Sequence, residues 1–232
     1  MKTTNTYKIL NMYCDRFGEL SYRNLASLMI EVSIAQGKIA EAGVDMSRLS
    51  WVLYSWDIDM DYPICADDAL EISAYAVKLD KFYAYKDFEI LREGQVVGLA
   101  RGIFLLVDID RKRPIKFTDA LVAGYDLDEP IYSPPKLSYR EDFDISKRIA
   151  IRSSDIDGNF HVNNAVYFDL ICDLCKVNAR DIAYFNMVYK NEIRNKDYIL
   201  GEYRLTDDEI DFRLRSTDDN KVYTYGKIIR NV

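Results

Sequence analysis

The segment Asp155-Ile156-Asp157-Gly158-Asn159-Phe160-His161-Val162-Asn163-Asn164-Ala165-Val166-Tyr167 decides how this chain is read. It holds the only histidine of the sequence and sets Asp, Asn and His close together just ahead of an apolar stripe. Tyr167, Leu170, Ile171, Leu174 and Val177 recur at helical spacing, which predicts a helix from about Asn163 to Ala183. A helix N-terminus presents unpaired N–H groups and a partial positive charge. A loop placed there can hold a carbonyl oxygen as it becomes an oxyanion. Asp157 is then a candidate nucleophile, or a general base for water. His161 could orient the reacting groups or exchange a proton near neutral pH, and Asn159 offers a donor and an acceptor for positioning. The backbone N–H groups of Val162, Asn163 and Asn164 are candidate oxyanion donors. The same residues also have an ordinary reading, because Asp and Asn cap helices and Gly-Asn makes turns.

Outward from this loop the chain repeats itself. A strand is expected near Ile145–Arg152 before the loop. Four more follow the helix, near Met187–Arg194, Tyr198–Leu205, Glu209–Ser216 and Val222–Arg230. The first half runs in the same order. A strand near Tyr7–Cys14 leads to a helix over Tyr22–Ala42, whose stripe is Leu25, Leu28, Met29, Val32 and Ile39. Next, Val52, Tyr54, Trp56, Ile58, Met60 and Tyr62 alternate with polar residues as one half-buried strand, which Pro63 ends. Strands near Ala69–Leu79, Phe82–Arg92 and Val96–Asp108 complete the unit. Ser21-Tyr22-Arg23-Asn24 lines up with His161-Val162-Asn163-Asn164 at an offset of 140. That alignment sets Phe17 against Asp157 and Ser21 against His161, so the first half is expected to be catalytically silent. Proline clusters and lost periodicity mark a linker. The expected division is residues 1–109, a linker over 110–137, and residues 138–232. The fold class is α+β, each unit a long helix wrapped by an antiparallel sheet.

Composition narrows the function. The 232 residues are 49% hydrophobic and 30% charged, a globular balance that excludes wholesale disorder. A net charge of −7 disfavours nucleic acid and anionic membranes as partners. No apolar run approaches the roughly 18 residues of a membrane span. The start, Met1–Leu10, lacks the features of a signal or transit peptide, so a cytoplasmic and bacterial protein is expected. Four scattered cysteines suggest no disulfide framework, and Cys172-Asp173-Leu174-Cys175 reads as helix packing. One His and separated Cys give no zinc spacing, and no phosphate or dinucleotide fingerprint is present, so no metal or cofactor is expected.

Asp-x-Asp-x-x-x-His-Val-Asn-Asn-x-x-Tyr ahead of a long helix resembles the signature of hotdog-fold thioesterases. The tandem repeat, the Trp51-Val52 strand and Asp61-Tyr62-Pro63 make the chain look like the acyl-ACP thioesterase family, which has two hotdogs in tandem. The resemblance spans nearly the whole chain from about Tyr7. It implies hydrolysis of a fatty acyl thioester on acyl carrier protein, releasing free fatty acid. The family's catalytic Asp, Asn and His fall on Asp157, Asn159 and His161. Its later Glu-Cys pair falls on Glu192-Ile193, so Glu192 matches and an isoleucine replaces the cysteine. A papain-like route through that cysteine is thereby closed to this chain. The resemblance also implies that the first half shapes the acyl tunnel, with Met29, Trp51, Val52, Tyr54 and Trp56 as candidate lining residues. Acyl carrier protein is acidic, so its docking is expected at a basic cluster. Arg111-Lys112-Arg113 with Lys116, Lys147-Arg148 with Arg152, and Lys176, Arg180, Arg194 and Lys196 are candidates. A second copy of the chain is a further candidate partner. An acyl-CoA thioesterase, a hotdog dehydratase and a non-catalytic acyl-thioester-binding protein remain as alternatives.

Overall fold

The computed structural model describes residues 1–61 and 63–231; Tyr62, placed above on the alternating strand, lies outside them. The first half runs β1 (Lys2–Lys8), α1 (Tyr22–Ala40), β2 (Leu49–Met60), β3 (Ala69–Asp80), β4 (Tyr83–Arg92) and β5 (Gln95–Asp108). A connecting stretch carries β6 (Arg113–Pro114) and α2 (Asp119–Gly124). The second half runs β7 (Ile145–Ala150), α3 (Val166–Cys175), β8 (Ile182–Tyr189), β9 (Tyr198–Leu205), β10 (Glu209–Arg215) and β11 (Val222–Arg230).

The main path of one continuous antiparallel sheet has the order β1-β3-β4-β5-β2-β8-β11-β10-β9-β7, with β6 beside β5. The order is a palindrome about the β2–β8 seam, where Trp56 pairs with Met187. A single row crosses six strands there: Lys86, Gly102, Trp56, Met187, Gly226 and Phe212. The two glycines give room to the large side chains beside them. A Cβ on Gly102 would lie 2.8 Å from the Trp56 ring, and one on Gly226 would lie 2.6 Å from the Phe212 ring. α1 and α3 pack on the same face, and one hydrophobic core runs through both halves. Tyr22 of α1 joins them, with its ring 5.4 Å from that of Phe185 and its hydroxyl donating to the Ile182 carbonyl at 3.1 Å.

The connecting stretch packs α2 against the end of α1 and then crosses the opposite face near Ile131 and Tyr132. Arg101 pairs with the buried Asp87 at 2.6 Å, and Asp87 Oδ2 accepts the N–H groups of Ile131 at 3.0 Å and Tyr132 at 3.1 Å. No helix among the described residues is long and apolar enough to cross a membrane.

Four elements differ from the sequence reading. β1 is Lys2–Lys8, not Tyr7–Cys14, because an edge strand with one wet face can be built from Thr and Lys without an apolar alternation. Within β2 the register shifts between Leu53 and Ser55, a bulge at Tyr54 that reverses side-chain phase. α3 stops at Cys175, far short of Ala183. Lys176 takes a left-handed conformation (φ 62°), and Asn178 with Asp181 starts a separate 3₁₀ turn at Ala179. β8 accordingly begins at Ile182 and ends at Tyr189, not Arg194. The Lys190 and Asn191 N–H groups both turn onto the Tyr223 carbonyl, at 2.8 and 3.2 Å.

Candidate active site

The loop before α3 is built from short-range backbone bonds. A 3₁₀ turn at Ser153–Asp155 leads to an antiparallel bridge between Ile156 and Val162. Between them Asp157 N–H donates to the His161 carbonyl at 2.9 Å, and Phe160 N–H to the Asp157 carbonyl at 3.0 Å. Asp157 Oδ1 accepts the Asn159 N–H at 2.8 Å, an Asx turn that fixes the carboxylate. Phe160 is 77% exposed and sits at φ 61°, a conformation that costs a bulky residue about 1 kcal/mol or more.

His161 Nδ1 lies 3.3 Å from Asp157 Oδ2 and 3.3 Å from the Val162 carbonyl oxygen. A ring that donates from Nδ1 leaves Nε2 facing Glu192, whose Oε1 is 3.9 Å away. Glu192 is half-exposed and bound instead to Arg194 Nε at 2.6 Å. It stands on the loop after β8, not on a strand as expected from sequence. Ile193, at the position of the expected cysteine, is fully buried. Its carbonyl accepts the Val162 N–H at 3.0 Å, and its N–H donates to the Tyr167 hydroxyl at 3.2 Å. Ile193 therefore anchors the loop.

Two of the three candidate oxyanion donors are already engaged. Val162 N–H goes to Ile193, and Asn163 N–H goes to the Asp155 carbonyl at 2.9 Å. Asn164 N–H has no acceptor among the described residues. Its carbonyl is held by the Tyr189 hydroxyl at 2.9 Å, and Asn163 Oδ1 caps Ala165 N–H at 2.8 Å.

This loop closes one side of a cavity of about 570 Å³ that lies between α1 and the sheet. Asp157, Asn163 and Asn164 form that side, while His161, Asn159 and Glu192 stand behind it. Trp51 and Trp56 line this cavity. Met29 is buried in the core, and Val52 and Tyr54 point away. The bulge at Tyr54 is the reason: Trp51, Leu53 and Trp56 share the inner face, and strict alternation put Val52 and Tyr54 there instead. Ser27, Ile30 and Ile34 of α1 and Phe104 of β5 complete much of the wall.

Lys86 of β4 also lines the cavity and was missed in sequence. It is 6% exposed, and its Nζ donates to the Ser33 carbonyl at 3.2 Å and to Ser33 Oγ at 2.9 Å. Burial pushes its ammonium from 10.5 down to about 8. The signal was available: Lys86 is in phase with Ala84, Phe88 and Ile90, all buried.

The first half contains the same turn. A 3₁₀ turn at Asn11–Tyr13 leads to a bridge between Cys14 and Leu20. Asp15 N–H donates to Glu19 O, Gly18 N–H to Asp15 O, and Phe17 N–H to Asp15 Oδ1. Each bond has its counterpart 142 residues later, so the offset of 140 is corrected. Asp157 matches Asp15, not Phe17. Asn159 matches Phe17, and His161 matches Glu19, not Ser21. Local hydrogen bonding sets this register, whereas residue similarity around Ser21 and Asn24 had misplaced it by two. Leu20 N–H donates to the Ile64 carbonyl at 2.7 Å, as Val162 does to Ile193. Among the described residues this second turn borders only a small void. Arg180 pairs with Glu19 at 2.8 Å and stacks on Phe17, Arg16 donates to Asn178 at 3.0 Å, and the nearby void is about 20 Å³.

Two helices on one antiparallel sheet that is palindromic about a central seam make this a double-hotdog protein. Residues 1–125 match the acyl-ACP thioesterase N-terminal domain and residues 139–230 the acyl-ACP thioesterase C-terminal domain, so the chain belongs to the acyl-ACP thioesterase family, a family of thioester hydrolases. Its fold is similar to that of an acyl-ACP thioesterase from Bacteroides thetaiotaomicron, with a TM-score of 0.85, 19% identity and coverage of 99% of this chain and 98% of that one. It is equally similar to the 12:0-ACP thioesterase from Umbellularia californica, with a TM-score of 0.85, 15% identity and coverage of 99% and 97%. No curated protein matches the chain.

Proposed function

We propose that the turn Asp157–His161 is where this acyl-ACP thioesterase cleaves its thioester. In this reading residues 1–109 form a catalytically silent half whose cavity takes the fatty acyl chain, and residues 138–232 supply the chemistry. One observation carries the reading. Asp157 is the residue of that turn on the cavity wall, and its second carboxylate oxygen faces His161 at 3.3 Å.

The thioester carbonyl lies at the N-terminal end of α3, where Asn164 N–H is the free donor for the developing oxyanion. Asp157 takes a proton from water as the water oxygen adds to the carbonyl carbon. The carbon–sulfur bond then breaks, and the pantetheine thiolate takes up that proton, with His161 holding the carboxylate in line. Direct attack by Asp157 Oδ2 on the thioester carbon is the second route: the carbon–sulfur bond breaks, the pantetheine thiolate leaves and is protonated by water, and the mixed anhydride is opened by water at the aspartyl carbon. Single turnover in heavy-oxygen water separates them, because only the anhydride route labels Asp157. Asn159 fixes the carboxylate through its backbone N–H, and Glu192 acts on His161 from a distance through its charge.

Acyl carrier protein is the proposed acyl donor. Several basic candidates for docking it are already paired: Arg152 with Asp155, Arg180 with Glu19, Arg194 with Glu192 and Lys196 with Asp218. The candidates without an ion pair among the described residues are Lys112, Arg113 and Lys116, together with Lys176 and with Lys147 and Arg148, which lie over Tyr203 and Tyr198; of these the docking charge is assigned to the Lys112, Arg113 and Lys116 cluster. All four cysteines are free thiols, which supports a reducing, cytoplasmic setting.

The test is fatty acid release from acyl-ACPs of graded chain length, with matched acyl-CoAs alongside. The reading expects faster release from the carrier and a loss of about a thousandfold in Asp157→Ala with the circular dichroism unchanged. Turnover retained in that variant would remove Asp157 from the chemistry.

A further inference from the structure

The buried end of the acyl cavity is polar, which a chain ending in a methyl group does not require. Lys86 stands two strands from β2 and three from β8, whose Tyr189 holds Asn164. At the usual strand spacing that places Lys86 roughly 14 Å across the sheet from the catalytic loop. Two of its three donors go to Ser33. The third has no acceptor among the described residues. Glu41 lines the same region. Its Oε1 accepts from Trp51 Nε1 at 2.8 Å and from the Tyr125 hydroxyl, and its Oε2 accepts nothing among the described residues. The third Lys86 donor and Glu41 Oε2 are therefore left over on the cavity wall beside Trp51, Trp56 and Phe104, with Lys38 of α1 on the same lining.

The fold does not demand a lysine at this position. Its counterpart in the second half, at the other end of the row through the β2–β8 seam, is Phe212, which is 1% exposed in the core. The first half has exchanged an apolar residue for a cation at the one end of the row that meets a cavity. Burial lowers the lysine's affinity for its proton, so the exchange costs stability.

Resting on the thioesterase reading, we propose that the cavity selects acyl chains bearing a hydroxyl at the end far from the thioester, the hydroxyl accepting from Lys86 Nζ and donating to Glu41 Oε2. A hydroxyl fits both groups at once. A terminal carboxylate would satisfy Lys86 but face Glu41, and a methyl group would leave both unpaired.

Two measurements test this. The first is kcat/KM for pairs of acyl-ACPs of equal length, one ending in methyl and one in hydroxymethyl, with the wild type and Lys86→Met. The second is calorimetric binding of the matching free fatty acids and terminally hydroxylated fatty acids, which does not depend on catalysis. The wild type is expected to favour the hydroxylated member about tenfold or more at its best length in both assays, and Lys86→Met to favour the methyl member. Equal preference in the wild type, or a ratio unmoved by Lys86→Met, overturns the proposal. So does stronger binding of the terminal dicarboxylic acid. Absent turnover with an intact binding preference would overturn the thioesterase reading of Asp157 and leave the pocket assignment standing.

Discussion

The turns at Asp15 and Asp157 have the same backbone and opposite fates. Both follow a 3₁₀ turn, both fold an aspartate back onto the second N–H after it, and both end in a bridge held by a buried isoleucine carbonyl. What differs is the segment that faces them. The Asp157 turn meets α1, whose 19 residues leave a groove above the sheet. The Asp15 turn meets the chain after α3, which ends after 10 residues and folds Asn178 and Arg180 onto Arg16 and Glu19. A duplicated scaffold thus yields one open and one filled site, and the side chains follow: His161 and Asn159 in the first, Glu19 and Phe17 in the second. The row across the sheet repeats the lesson, with Lys86 facing the cavity and Phe212 filling the core.

The comparison can be broken at several points. After Asp157 itself, the largest expected effect is on His161. His161→Gln lowers kcat by about a hundredfold or more, whereas Glu19→Gln leaves it within about twofold, both read from steady-state fatty acid release. Comparable losses in both would mean that the turns are functionally equivalent.

Next comes the row. The folded pKa of Lys86 lies below its unfolded value of 10.5, at about 8. Between those values the unfolded chain binds more protons, so the lysine's penalty is complete below about pH 8 and fades as pH rises toward 10.5. The stability of Lys86→Met relative to wild type therefore rises by roughly 3 kcal/mol as pH falls from about 10.5 to below 8, as chemical denaturation across pH would report. A gain independent of pH would show that packing, not the buried charge, is the cause.

A smaller effect is expected at Glu192. Its carboxylate is half-exposed, paired with Arg194 and 3.9 Å from His161, so Glu192→Gln lowers kcat by less than about tenfold. The smallest concerns the filled site. Arg180→Ala unpairs the buried Glu19, which lowers the melting temperature and leaves kcat and KM unchanged.

Much of this molecule was legible in sequence because its signals are periodic. Leu25, Leu28, Met29 and Val32 of the α1 stripe are buried as read, whereas Ile39 is exposed and Gln36, read as lying off the stripe, is buried; Trp56, Ile58 and Met60 are buried, but so is Asp57 between them. Asp157, Asn159 and His161 do fall on one turn ahead of α3. What escaped has specific causes. A one-residue bulge at Tyr54 inverts the inner face of β2 without altering the residue pattern. Lys176 adopts φ 62°, and the Lys176 and Val177 N–H groups both close onto the Cys172 carbonyl, an ending that no glycine or proline marks in the sequence. The true pairing of the two turns resides in backbone bonds, so residue similarity placed it two positions away. The cavity is a property of two segments 130 residues apart, Ser27–Ile34 and Asp157–Asn164, and no local pattern records it.

The central claim is that one of two matching aspartates does the chemistry. Single-turnover release of fatty acid from acyl-ACP, with Asp157→Asn and Asp15→Asn measured beside the wild type, tests it most directly. The account predicts a loss of about a thousandfold for Asp157→Asn and wild-type release for Asp15→Asn. Wild-type release from Asp157→Asn, or a comparable loss from Asp15→Asn, would contradict it.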